Sequence, residues 1–237
     1  MGEANRRKTS GEMDFWYHGT DEHFSAWGEP PLLSKYKPEL TPHHFISLSK
    51  DQELATCAGE TSTGLCRSKL VESANILDLR SRSDDVELVW KQVVVSDIGR
   101  IHMLAKSLES FVQACVSGEI LRLQTTDQRT LARLIPLQAL AQNPATPIIQ
   151  KMKAHLEVQN FTRQWIESVI SPAKHLGYQG VICAEIDRYR PQGPKACLNL
   201  YIFDPRALTT PEWLSVPDEE IMSHYMKQFA ELTEKNL

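Results

Sequence analysis

Four short stretches of this chain bring together side chains able to do chemistry. In DFWYHGT, residues 14 to 20, His18 follows three aromatic residues and precedes Gly19 and Thr20. An imidazole in this setting serves as a hydrogen-bonded core residue, as a metal ligand or as the grip on a ligand, and Gly19 lets a ligand approach the backbone where a Cβ would obstruct it. In HHFISLS, residues 43 to 49, Phe45 and Ser47 stand beside His43 and His44. Adjacent histidines on a strand point to opposite faces and a third ligand is missing, so no metal site is expected. In ACLNLYIFDP, residues 196 to 205, alternation sets Cys197, Asn199, Tyr201 and Phe203 on one face and Leu198, Leu200 and Ile202 on the other. Asn199 is therefore expected to face a cleft. Glu185, at the end of GYQGVICAEI, is the nearest carboxylate in sequence, either working beside Asn199 or solvated at a turn. Arg188, Arg190 and Lys195 make the following turn basic, which reads as solvated surface or as a contact for phosphate or an acceptor.

Elements that position these residues follow from periodicity and punctuation. Residues 1 to 12 are polar and aperiodic, a disordered lead-in. FWYH predicts a short strand closed by Gly19, Asp21 is a cap candidate for a brief helix over EHFSAW, and the proline-rich GEPPLLSKYKPEL predicts a loop able to act as a lid. HHFISLS predicts a strand and SKDQELATCAGE a helix with a serine N-cap. CRSKLVES and NILDLRS predict two short strands around a turn at residues 73 to 75. From Asp84 the period becomes helical: Ile101, Leu104, Leu108, Phe111, Val112 and Cys115 share a face, and Leu131, Leu134, Ile135, Gln138 and Leu140 continue it across Pro136. NPATP breaks the pattern, and a further helix is predicted from Phe161 to His175. GYQGVICAEI and ACLNLYIFDP then predict a hairpin around an exposed turn, and Ile221, Met222, Tyr225, Met226, Phe229 and Leu232 a last amphipathic helix. Together these predict an α+β fold, a mainly antiparallel sheet in one domain over residues 13 to 237, with a helical insertion at about 84 to 175.

Composition narrows the functional classes. The chain has 237 residues, 41% of them hydrophobic, enough for a substantial core. A formal charge of -4 and a pI near 6.1 give no general basic field for nucleic acid, although a local patch can still hold a single strand. No run approaches the roughly 18 apolar residues of a membrane span, and the first residues lack the apolar core of a signal peptide, so a cytoplasmic protein without membrane contact is expected. Five scattered cysteines without a CxxC pair are read as reduced thiols.

In this order, YHGT (17 to 20), HFISLSKDQELA (44 to 55), SKLVESANILDL (68 to 79), and GYQGVIC (177 to 183) followed by LYIFDP (200 to 205) resemble the ADP-ribosyltransferase superfamily, in its diphtheria-toxin and poly-ADP-ribose-polymerase-like branch. The resemblance covers about a third of the chain, and residues 84 to 175 resemble nothing in it. It implies a split, mainly antiparallel sheet with NAD+ as co-substrate in the cleft between its halves.

The resemblance also implies roles. Nicotinamide leaves readily once the adjoining ribose can develop positive charge, so the protein must hold the dinucleotide bent and stabilise that charge. His18 would orient the adenosine ribose, Gly19 would pair with the nicotinamide amide through its backbone, Thr20 and Ser47 would complete the NAD-binding strands, and Phe45 would stack on nicotinamide. Two positions depart from the family pattern: Cys57 and Ala58 stand where a second aromatic is usual, and Asn199 stands where the family has its glutamate. An amide can bond a ribose hydroxyl but supplies no negative charge, which leaves Glu185 as the candidate replacement carboxylate. The implied activity is mono-ADP-ribosyl transfer to a protein side chain or a nucleic-acid base by a bacterial or phage toxin or effector, with an antitoxin or other regulatory protein as a further partner. The alternative is a weak or inactive nucleotide-binding module whose helical block serves protein interaction.

Overall fold

The central hairpin shows how the sequence builds the sheet. The computed structural model describes residues 14–31, 40–57, 64–122, 124–187 and 193–218. Strands are Trp16–Thr20 (β1), Ile46–Ser49 (β2), Gly64–Ser68 (β3), Ile76–Asp78 (β4), Gly180–Asp187 (β5), Lys195–Ile202 (β6) and Glu212–Ser215 (β7). β5 and β6 pair without interruption from Gly180 opposite Ile202 to Asp187 opposite Lys195, as their alternating apolar residues require. The seven strands form one mixed, mostly antiparallel sheet in the order β4-β5-β6-β2-β1-β3-β7, with β4 and β5 parallel. The protein is thus α+β, with a helical region between β4 and β5.

Each face of the sheet has its own core. On one, Phe45, Leu77, Val181, Cys183, Tyr201 and Phe203 meet the helices. On the other, Trp16, Ile46, Leu48, Leu200 and Ile202 meet Ala207 and Leu208 from the segment that leaves β6. That segment starts with Asp204, whose carboxylate caps the turn by accepting from the Arg206 N–H (3.0 Å), and it ends by lending the Thr209 carbonyl to the Ser68 hydroxyl (2.6 Å). It thereby straps β6 to the far side of the sheet. The strap matters because the middle of the sheet is thinly paired: β1 and β2 share a single residue pair, Tyr17 with Ser49. β1 with β3, by contrast, pairs over its whole length.

Helices run over Gln52–Cys57 (α1), Asp84–Val95 (α2), Leu108–Ser117 (α3), Gln128–Gln142 (α4), Ile148–Ile170 (α5) and Pro172–His175 (α6). Local chemistry starts most of them. The Ser83 hydroxyl accepts from Val86 N–H and three acidic residues fill the first turn of α2; Ser107 and Asp127 cap α3 and α4 in the same way. α3 ends at Gly118, whose φ of 84° is left-handed. A Cβ there would lie 2.7 Å from the carbonyl carbon of Glu185, so the glycine lets the end of α3 touch the backbone of β5. Inside the block, His102 lies flat on Trp165 with ring centres 3.9 Å apart. Its Nε2–H donates to Arg122 O (2.8 Å) while Nδ1 accepts from Leu104 N–H (3.1 Å), and the Trp165 indole donates to Ile120 O (2.7 Å).

Several local expectations are corrected. β1 continues through Gly19 and Thr20, which pair with Leu65 and Gly64, so Gly19 does not close the strand. Residues 22 to 27 form no helix; the chain is held by its tryptophans, with Trp27 Nε1 donating to Thr209 O and Trp213 Nε1 to Phe24 O, both at 3.0 Å. Asp51, accepting from Leu54 N–H, caps α1, and Ser49 instead accepts from Asp51 N–H. Gly99–Ile101 and Met103–Ala105 are two short 3-10 turns, so Ile101 and Leu104 do not begin a continuous helix. α5 starts just after Pro147, well before Phe161, whereas α4 runs through Pro136 as its periodicity predicts. β7 was not expected at all. The expectations for residues 1 to 12, for most of the proline-rich segment, for Ala58, Arg188 and Arg190, and for a last amphipathic helix fall outside the described residues. Among the described residues no helix is long and apolar enough to cross a membrane.

Candidate active site

The hairpin brings Glu185 and Asn199 into contact. Glu185 is near the end of β5; Asn199 is on β6, opposite Cys183 and one diagonal step away. Asn199 is 3% exposed, on the same face as Tyr201, as alternation predicts. Its Nδ2 donates to Glu185 Oε2 at 2.6 Å, and the Tyr201 hydroxyl donates to the same oxygen at 3.1 Å. Burial raises the pKa of the Glu185 carboxyl above the usual range; the Tyr201 and Asn199 hydrogen bonds work against that, and nearby Asp187 adds to it. Tyr201, missed by the sequence reading as a site residue, has its own pKa pushed well up, first by burial and then by the Glu185 charge. Alternation placed it beside Asn199, and that was the signal available. The Asn199 Oδ1 is buried without a hydrogen-bond partner.

The expected NAD-binding residues form a second group at the β1–β2 seam. His18 Nδ1 lies 2.8 Å from Ser47 O, so Nδ1–H donates across the place where the ladder has thinned. This leaves Nε2 as an acceptor in the neutral ring. Burial lowers the His18 pKa, opposed by the Ser47 bond, so the neutral form is the one present at pH 7. Trp27 meets the ring edge-on at 5.4 Å and Phe24 approaches at 6.2 Å. Thr20 is taken up locally, its hydroxyl accepting from Glu22 N–H. Gly19 is held in the β1–β3 ladder. Phe45 is 4% exposed, stacked on His43 at 4.5 Å and edge-on to Tyr201 at 5.1 Å, so it belongs to the core.

The two groups occupy opposite faces. Trp16 belongs to the core that contains Leu200, and alternation along β1 puts His18 and Thr20 on that side; Asn199 and Tyr201 share the side of the helices. Among the described residues no hydrogen bond joins His18 to the Glu185 cluster. β2 lies between them, with Ser47 paired to Tyr201 and Ser49 to Asn199.

His43 and His44 do not point apart as expected, because both precede β2 and strand alternation does not apply to them. His43 Nδ1 donates to Glu167 Oε1 at 3.0 Å and the His44 backbone N–H donates to the same oxygen at 2.8 Å. With Arg163 donating to Thr41 O, α5 fastens the chain leading into β2. Lys50, just after β2, was also missed. Its Nζ donates to Phe15 O (2.9 Å) and sits 4.2 Å from the centre of the Trp16 ring, and burial brings its pKa down to about 8. Lys50, Asp51 and Lys195 border an open depression of about 560 Å³; another of about 400 Å³ lies between Arg122 and α4. Neither is lined by His18, Glu185 or Asn199. No family model matches the chain, and no curated protein and no solved structure matches it.

Proposed function

We propose that this protein is a mono-ADP-ribosyltransferase that uses NAD+ as co-substrate, with Glu185 supplying the negative charge that Asn199 lacks. The observation that carries the reading is the 2.6 Å contact between Asn199 Nδ2 and Glu185 Oε2. A carboxylate from the neighbouring strand held against Asn199, the residue that the resemblance aligns with the family's glutamate, supports the reading. A charge held by fixed donors in a partly dehydrated place stabilises positive charge on a sugar better than the same group in water. His18 contributes Nε2 as an acceptor for a ribose hydroxyl, its tautomer fixed by Ser47 O. Ser47 lines the same seam through its carbonyl, while Gly19 and Thr20 follow His18 along β1 in the β1–β3 ladder. The thin β1–β2 pairing corresponds to the division expected of a split sheet.

The test is release of nicotinamide and transfer of label from labelled NAD+ in a cell extract, followed by protease or nuclease digestion to identify a protein or nucleic-acid acceptor. A toxin or effector role, with an antitoxin or other regulatory protein as partner, is tested by pull-down against the organism's own extract. Neither nicotinamide release nor label transfer by wild-type protein would sink the reading.

A second reading is a nucleotide-binding module without turnover. The placement of His18 and Glu185 on opposite faces of the sheet favours it, because one ligand must then reach both across the seam. NAD+ binding by calorimetry, lost in His18→Ala and unaffected by Glu185→Gln, with no nicotinamide release, is its signature.

A further inference from the structure

Resting on the reading of Glu185 as the working carboxylate, we propose that Tyr201 is its positioning residue: with the Asn199 amide it occupies Oε2, leaving Oε1 as the one oxygen the hairpin presents to a reaction partner. Both donors come from β6, which is hydrogen-bonded along both edges, to β5 and to β2. Neither can move without disturbing two ladders. Tyr201 is 2% exposed and its ring is set edge-on against Phe45, which fixes where the hydroxyl lies.

The amide is oriented by the carboxylate and not by its own needs. Turning Asn199 over would set two acceptor oxygens 2.6 Å apart, so Nδ2 stays on Glu185 and also approaches the Tyr201 hydroxyl at 3.3 Å. The cost is Oδ1, buried without a partner. A buried acceptor left unpaired is unfavourable, and it is tolerated here because the other end of the amide holds a charge. Among the described residues no hydrogen bond is made to Oε1. The other ionisable groups around the carboxyl are Asp187 further along β5, Cys183 and Cys197 on the same face, and Cys115 from α3; Arg80 and Asp78, paired with one another, lie beside Cys183. Burial holds the Cys183 thiol protonated, which leaves Tyr201 and Asn199 as the neutral groups that donate to Glu185.

The experiment titrates the Glu185 carboxyl by ¹³C NMR, assigned by its loss in Glu185→Gln, in wild type, Tyr201→Phe and Asn199→Ala. Each substitution removes one donor to the ionised form, so the midpoint should move to higher pH by about 0.5 to 1 in each. Asn199→Ala leaves the tyrosine ring in place, so the test survives if Tyr201→Phe fails to fold. In nicotinamide release, Tyr201→Phe should lower kcat about tenfold with KM unchanged and move the acidic limb upward. An unmoved midpoint in the folded variants overturns the proposal. A moved midpoint in a protein that releases no nicotinamide supports the positioning and removes the transferase reading instead.

Discussion

The two halves of the sheet are built to different tolerances. β5 and β6 are paired without a break and covered by α3, whose Gly118 touches the backbone at Glu185. β1, β3 and β7 form a smaller antiparallel group, with a register shift where β3 meets β7. In backbone pairing it joins the larger half through one residue pair; the His18–Ser47 and Lys50–Phe15 bonds, the packing of Trp16 against Ile46 and Leu48, and the strap after β6 add to it. The larger half holds a carboxyl at a fixed place, and burial there raises its pKa. The smaller half holds a neutral imidazole at a joint, where a small change in strand angle alters its reach.

Breaking the covered half should have the largest effect. Gly118→Ala combines a left-handed backbone with a Cβ placed against Glu185, and should lower stability by about 3 kcal/mol, measured by urea unfolding. Glu185→Gln keeps the shape and removes the charge; nicotinamide release should fall by about a hundredfold or more while the melting temperature is kept. A fall seen in Asn199→Ala and absent from Glu185→Gln would return the chemistry to the amide.

Acid should act next. His18, His43 and His102 are all held neutral, with burial the leading cause of each lowered pKa. A lowered folded value means that the unfolded chain takes up protons first. The stability from these groups is therefore complete above the ordinary histidine pKa of about 6.5 and is lost as pH falls through the lowered values. Thermal melts should decline below about pH 6.5, and His102→Asn should flatten the decline because Nδ1 of His102 can no longer be protonated against Leu104 N–H. The smallest effect belongs to the open edge: Arg67→Ala removes an ion pair with Glu212 whose partners are both solvent-accessible, and should change stability by less than about 0.5 kcal/mol.

Legibility followed the same division. The β5–β6 hairpin could be read because both runs are rich in branched and aromatic residues and the sequence between them carries proline and glycine. The meeting of Asn199 with Glu185 needed the register as well, which no periodicity supplies. His23, Phe24 and Trp27 imitate a helical face, yet the rings of His23 and Phe24 meet Trp213, 189 residues from Phe24, and Trp27 reaches Thr209 O. β7 follows a proline and has only Trp213 to mark it, while the first half of α5 follows the NPATP break and is sustained as a helix by contacts with α4. His43 and His44 misled because alternation was applied before the strand begins.

The parallel pairing of β4 with β5 has a consequence for how the chain reaches this state. Asn75 and Gln179, beside that pair, are bonded across 104 residues, and the whole helical block forms the crossover between them. That ladder closes a very long loop, so it gains nothing until the helices have gathered and brought its ends together. The antiparallel hairpin that carries Glu185 can zip up early, whereas β4 must be the late arrival, docking onto an edge that stays open to other chains until the helices are home.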